Sequence, residues 1–146
     1  MGAVKLMKFR TRIVVVAMAS FVVGTVIAFS GGKATVVAST DLKWQELGIP
    51  GVAAAPVSGD MTKGPSRFFL RYPVGLKTPI HSHTADHYAT VVSGTFSLTT
   101  DGSTRKLGPG SYFSLTGKMA HSAKVEGKEP VVFFITADGP WDVVVQ

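Results

Sequence analysis

From Trp44 onward, apolar and polar residues alternate in short runs broken by turn residues, and no run keeps helical spacing for more than a turn or two. This period-2 pattern is that of half-buried strands. The first runs are 67–72 (RFFLRY) before Pro73, 88–92 (YATVV) before Ser93-Gly94, and 95–100 (TFSLTT) before Asp101-Gly102. That last pair favours a two-residue hairpin, because Asp and Gly tolerate the positive φ of a type I′ turn. Further runs follow at 111–115, 121–125, 131–136 (VVFFIT) and 141–145 (WDVVV), with glycine- and proline-containing breaks between them. Seven or more short strands at close spacing predict an all-β domain built as a sandwich, jelly roll or barrel.

The front of the chain follows another pattern. Four basic residues (Lys5, Lys8, Arg10, Arg12) precede an uncharged run, 13–29 (IVVVAMASFVVGTVIAF). A Val/Ile-rich run with no polar face suits an export signal or a membrane anchor rather than a surface helix. Ala28 and Ser30 are small residues spaced like positions −3 and −1 of a cleavage site, which would leave Gly31 as the new N-terminus. Residues 1–30 are therefore expected to be a signal peptide or membrane anchor, 31–40 (GGKATVVAST) a linker, and 41–146 the folded domain. The basic flank stays cytoplasmic. The domain is thus expected to be exported, periplasmic or secreted, or held outside the cytoplasmic membrane by an uncleaved anchor.

Composition narrows the partners. With 146 residues there is room for one ordinary domain. The formal charge is +6, yet from Gly31 onward 11 basic residues face 9 acidic ones, a balance of +2 with no block of like charge. Nucleic acid is not an expected partner, and the membrane is one only through the N-terminal segment. Cysteine is absent, which excludes a disulfide scaffold, a thiolate zinc site, an iron–sulfur cluster and a cysteine nucleophile.

The chemistry lies in the four histidines. His81, His83 and His87 fall in the segment PIHSHTADHYATVVSG, and His121 opens a later strand-like run. Residues two apart on a strand share a face, so His81 and His83 project side by side. His87 starts the next run, and an antiparallel barrel brings His121 alongside. Unpaired inward imidazoles are costly to bury. A common metal therefore accounts for all four, and neutral imidazole suits divalent Fe, Mn, Co, Ni, Cu or Zn.

The segment Gly75-(x5)-His81-x-His83-(x3)-His87-(x6)-Gly94 resembles the first cupin motif, G-(x5)-H-x-H-(x3,4)-E-(x6)-G, in every spacing. Gly110-(x5)-Thr116-x-Lys118-(x2)-His121 resembles the second, G-(x5)-P-x-G-(x2)-H-(x3)-N, departing at Thr116 for Pro, Lys118 for Gly and Val125 for Asn. Trp44, Gly59-Asp60, Gly64-Pro65, Arg71 and Gly139-Pro140-Trp141 around this core resemble small bacterial cupins of the ChrR type. The resemblance spans 41–146 and implies an RmlC-like jelly roll, or double-stranded β-barrel. It further implies one divalent metal held by His81, His83, His87 and His121, with His87 where the family usually has glutamate. Four-histidine cupins point to Mn, Fe, Ni or Cu before Zn.

The resemblance also implies that Ala89, Val91, Ala123 and Val125 face inward, leaving a dry pocket for a small-molecule substrate or ligand. Phe68, Phe69, Phe96, Phe113, Phe133 and Phe134 are expected in the core. Asp86 reads as a solvated turn residue, Arg71 as a surface ion-pair partner, Tyr88 and Tyr112 as outward or rim residues, and Trp44 and Trp141 as packing on the outer face or at a dimer contact. No catalytic residue is assigned, and a homodimer through sheet edges is a family expectation. The leading function is oxygen-dependent oxidation of a small organic substrate by a dioxygenase-like oxidoreductase. A metal-dependent lyase or isomerase, or a metal- or ligand-sensing module without turnover, stands as the alternative.

Overall fold

Alternation along the chain becomes alternation of burial. Strand 131–137 reads buried and half-buried in strict turn, with Val131, Phe133, Ile135 and Ala137 inward. A computed structural model describes residues 32–146; the expected export segment and the first residue of the linker lie outside the described residues. One 3-10 turn, Ser39–Asp41, precedes eleven strands. These are β1 (Gln45–Glu46), β2 (Ala53–Gly59), β3 (Ser66–Tyr72), β4 (His81–Ser82), β5 (His87–Ser93) and β6 (Thr95–Thr100). They continue with β7 (Ser103–Leu107), β8 (Tyr112–Leu115), β9 (His121–Glu126), β10 (Val131–Ala137) and β11 (Val144–Val145). Among the described residues no helix is long and apolar enough to cross a membrane.

The strands form two antiparallel sheets, ordered β1-β2-β3-β10-β5-β8 and β11-β4-β9-β6-β7. The molecule is an all-β, cupin-like jelly roll. The chain crosses from one sheet to the other at Gly94, between β5 and β6. Gly94 has φ +74°, and a Cβ there would lie 2.3 Å from the Pro130 carbonyl oxygen, so only glycine makes the crossing. Asp101 (φ 48°) and Gly102 (φ 73°) form the tight β6–β7 hairpin expected from their identity.

Between the sheets lie Phe68, Leu70, Phe96, Leu98 and Phe133. Phe133 meets the rings of Tyr72, Phe96 and Phe113 at centroid distances of 5.4, 4.8 and 6.1 Å. Two of the expected core phenylalanines belong elsewhere. Phe69 and Phe134 follow Phe68 and Phe133 directly, so the pleat turns them to the outer face, where they pair at 5.1 Å. The run 141–145 pairs only over Val144–Val145, because Trp141 turns inward before it.

Candidate metal centre

His81 stands opposite His121 in the β4–β9 pairing, which brings their ring centroids to 4.3 Å. His83 leaves the end of β4 on the same side, 5.1 Å from His81 and 5.2 Å from His121. One nitrogen from each of His81, His83 and His121 lies within 4.8 Å of the others, and all three side chains are buried. His87 enters from β5 in the opposite sheet. It lies outside this tight group but lines the same small cavity, 4.7 Å from the His83 ring and 5.9 Å from that of His121. All four histidines named from the sequence therefore meet in one space, three of them closely.

The imidazoles are oriented from behind. His81 Nδ1 faces the Pro79 carbonyl at 2.9 Å, and His121 Nδ1 faces that of Met119 at 3.0 Å. His83 Nδ1 contacts the Asp142 carbonyl. A carbonyl only accepts, so each Nδ1 carries the proton and donates it. Each Nε2 then keeps a lone pair for a ligand. His87 differs: its Nδ1 is buried with no hydrogen-bond partner. The Ala85 carbonyl opposes the fall in its pKa without reaching hydrogen-bond geometry.

Burial favours the neutral form of His83, His87 and His121. Desolvation pushes His83 down to about 3 against the pull of the Asp142 carbonyl, with the neighbouring imidazoles adding to the fall. Desolvation likewise takes His87 down to about 4, and lowers His121. Neutral imidazole is the metal-ligating form. The donor set fits a divalent transition metal on two counts. Three rings have their tautomer fixed by carbonyls, and a fourth buried imidazole lines the same cavity.

Beyond the histidines the cavity wall is apolar, with Phe96, Leu98, Phe113, Ala123 and Phe133 among its residues. Tyr72 adds a phenol, which desolvation pushes up to about 12, so it holds its proton. The free volume is about 30 Å³, room for water-sized groups beside the imidazoles and less than the small-molecule pocket expected, because the aromatic side chains of Phe96, Phe113, Phe133 and Trp141 fill the space. Ala89, Val91 and Val125 are buried as expected, and Ala123 lines the cavity.

Two contributors escaped the sequence reading. Trp141 was expected outside, but it stacks on His83 at 4.0 Å and meets His87 edge-on at 5.2 Å and Phe68 at 5.1 Å. Asp142 adds a clamp: its carboxylate accepts from Thr84 N at 2.8 Å and Thr84 Oγ1 at 2.5 Å, beside the carbonyl that holds His83. The Gly139-Pro140-Trp141 turn was the one available signal. Asp86 is not simply solvated either, since its carboxylate accepts from Gly117 N at 2.6 Å and ties β5 to the turn before His121. Arg71 faces Glu46 at 3.8 Å and covers Trp44 at 4.8 Å, a surface pairing as expected. Tyr88 and Tyr112 are exposed.

The family description "Cupin domain" matches residues 68–137, which include all four histidines. Similar solved structures agree on the fold. KdgF from Halomonas sp. is 20% identical with a TM-score of 0.61, covering 73% of this chain and 94% of that one. The polyketide cyclase RemF from Streptomyces resistomycificus is 20% identical with a TM-score of 0.64, covering 77% and 85%. Salicylate 1,2-dioxygenase from Pseudoaminobacter salicylatoxidans is 23% identical with a TM-score of 0.54, covering 62% of this chain and 26% of that one. No curated protein matches the sequence. The matched domain spans just under half of the chain, and the solved structures share its fold. Inside the matched segment the chain carries a buried histidine cluster suited to a transition metal.

Proposed function

We propose that this protein is an exported, metal-dependent cupin enzyme that oxidises a small organic substrate with dioxygen. His81, His83 and His121 hold one divalent transition metal, and His87 is the fourth ligand. The observation that carries the reading is the carbonyl-anchored histidine cluster. Four neutral ligands leave the ion's charge uncompensated and, in a six-coordinate metal, two positions open. A bound metal supplies redox and Lewis-acid chemistry there. The chain's own residues orient the imidazoles, exclude bulk water with an apolar wall, and offer the Tyr72 phenol as a donor. The cavity lining includes no carboxylate to serve as a base. The missing base favours the alternative of a sensing module without turnover, and lyase or isomerase chemistry remains the other alternative.

Elemental analysis of the untagged full chain beside His83→Ala and His87→Ala tests the site. The expected result is one equivalent of Mn, Fe, Ni or Cu in the parent, none in His83→Ala, and binding weakened about tenfold or more in His87→Ala. A metal-free parent with an intact fold overturns the proposal. If metal binds but azide leaves its spectrum unchanged, no position is open and the sensing reading replaces the enzymatic one. Recovery of the protein from the cytoplasm alone would overturn export.

A further inference from the structure

A second concavity lies beside the metal cavity, at the seam between the two sheets. One wall is the β1–β2 hairpin with Leu47, Ile49 and Val52, and the other is the C-terminal segment with Val143 and Val145. Tyr72, His81 and Trp141 line both spaces, so they form a shared partition. The volume is about 340 Å³, at the lower end of the range for small-molecule sites.

Its surface is unusual for a solvent-facing groove. Ile49, Val143 and Val145 are 54%, 58% and 62% exposed, and Leu47 is 39% exposed. Exposed large aliphatics scattered singly need no explanation, but here four converge on one concave site. The lining holds one ionic side chain, Lys77, which is exposed and forms no ion pair among the described residues. Lysine lays its aliphatic stem along apolar surface and keeps its ammonium at the rim. The neighbouring Thr78 hydroxyl is already engaged, accepting from Ala123 N at 2.8 Å. An apolar slot with one unpaired cation at its edge complements an apolar body with one anionic end.

We propose that this groove is a binding site for a medium-chain monocarboxylate, its tail between the β1–β2 hairpin and β11 and its carboxylate on Lys77. The site does not depend on a bound metal. Its occupant touches Trp141 and the outer side of His81, so it reports on the metal centre through a shared wall.

The test uses the full chain carrying Trp44→Phe, in which Trp141 is the remaining tryptophan. Decanoate below its micellar concentration is expected to change Trp141 emission saturably, before and after removal of metal by a chelator. Decanol should bind about tenfold more weakly, as should decanoate to the Lys77→Gln variant. Val143→Asp, an exposed change that places a carboxylate in the slot, should abolish the response. Decanoate that produces no saturable change in the parent overturns the proposal. So does decyltrimethylammonium that binds as tightly as decanoate, or a Lys77→Gln variant that binds decanoate unchanged. A groove closed by a second copy of the chain, seen as a dimer indifferent to decanoate, overturns it as well. Persistence of binding in the chelated protein separates this result from any failure of the metal proposal.

Discussion

The Asp142 clamp makes a prediction about metal affinity from a residue that is not itself a ligand. Asp142→Ala removes two hydrogen bonds to Thr84, at 2.8 and 2.5 Å, and frees the backbone whose carbonyl orients His83. Bonds to a charged acceptor contribute about 1.5–3 kcal/mol each. These lie at an exposed site, where solvent screening brings them nearer 1 kcal/mol each. Losing both costs the clamped arrangement about 2 kcal/mol, equivalent to roughly thirtyfold in its population. If His83 binds metal only in the clamped state, the apparent dissociation constant rises by up to that factor. The assay is competition with a chromogenic chelator, run beside thermal melting. Asp142→Asn keeps one oxygen acceptor for Thr84 N and should fall between parent and Ala variant. An unchanged dissociation constant in Asp142→Ala, with the fold intact, would refute the idea that the C-terminal segment orients His83.

Lys118 has φ 66°, a left-handed conformation in a non-glycine residue. Lys118→Gly should therefore stabilise the domain by about 1 kcal/mol in urea unfolding, and a destabilised variant would show that the lysine side chain contributes something unseen. Phe133→Ala empties the centre of the aromatic cluster and should cost about 3–5 kcal/mol; a cost below 1 kcal/mol would mean that the core collapses into the space. Acid should destabilise the metal-free protein. Unfolded histidine takes up a proton near pH 6.5, whereas folded His87 and His83 resist until about 4 and about 3. The contribution of these two groups is complete above pH 6.5 and falls away as the pH drops toward 3. A melting temperature that is flat from pH 7 to pH 5 would contradict their burial as neutral rings.

The sites legible in the sequence were those governed by local spacing. His81 and His83 sit two apart, and the pleat put both into one cavity. Asp101-Gly102 carried its turn in its own chemistry. Lys118 is subtler: it stands where the cupin motif has glycine, and the backbone keeps the glycine-like conformation regardless, with Lys118 N donating to the His83 carbonyl at 2.7 Å. Strands β2 and β7 gave little signal. β2 reads AAAPVSG, poor in β-branched residues and interrupted by proline, and it is held by pairing with β3. β7 reads STRKL at a sheet edge, with no apolar face to alternate. Consecutive phenylalanines misled, because Phe68-Phe69 and Phe133-Phe134 each place one ring on either side of a sheet. Trp141 was illegible for a different reason. Its partner His83 lies 58 residues earlier in the chain, and no local pattern encodes a contact at that separation.

That separation bears on how the centre is made during synthesis. All four histidines precede Trp141 and Asp142 in the chain, the residues that stack on and orient His83. Until the C-terminal segment docks, His83 lacks both the ring that stacks on it and the carbonyl that orients it. The finished geometry arrives only when the last strand closes. The orientation of His83 is therefore the last part of the cluster to be completed, and it is completed by residues far from it in the chain.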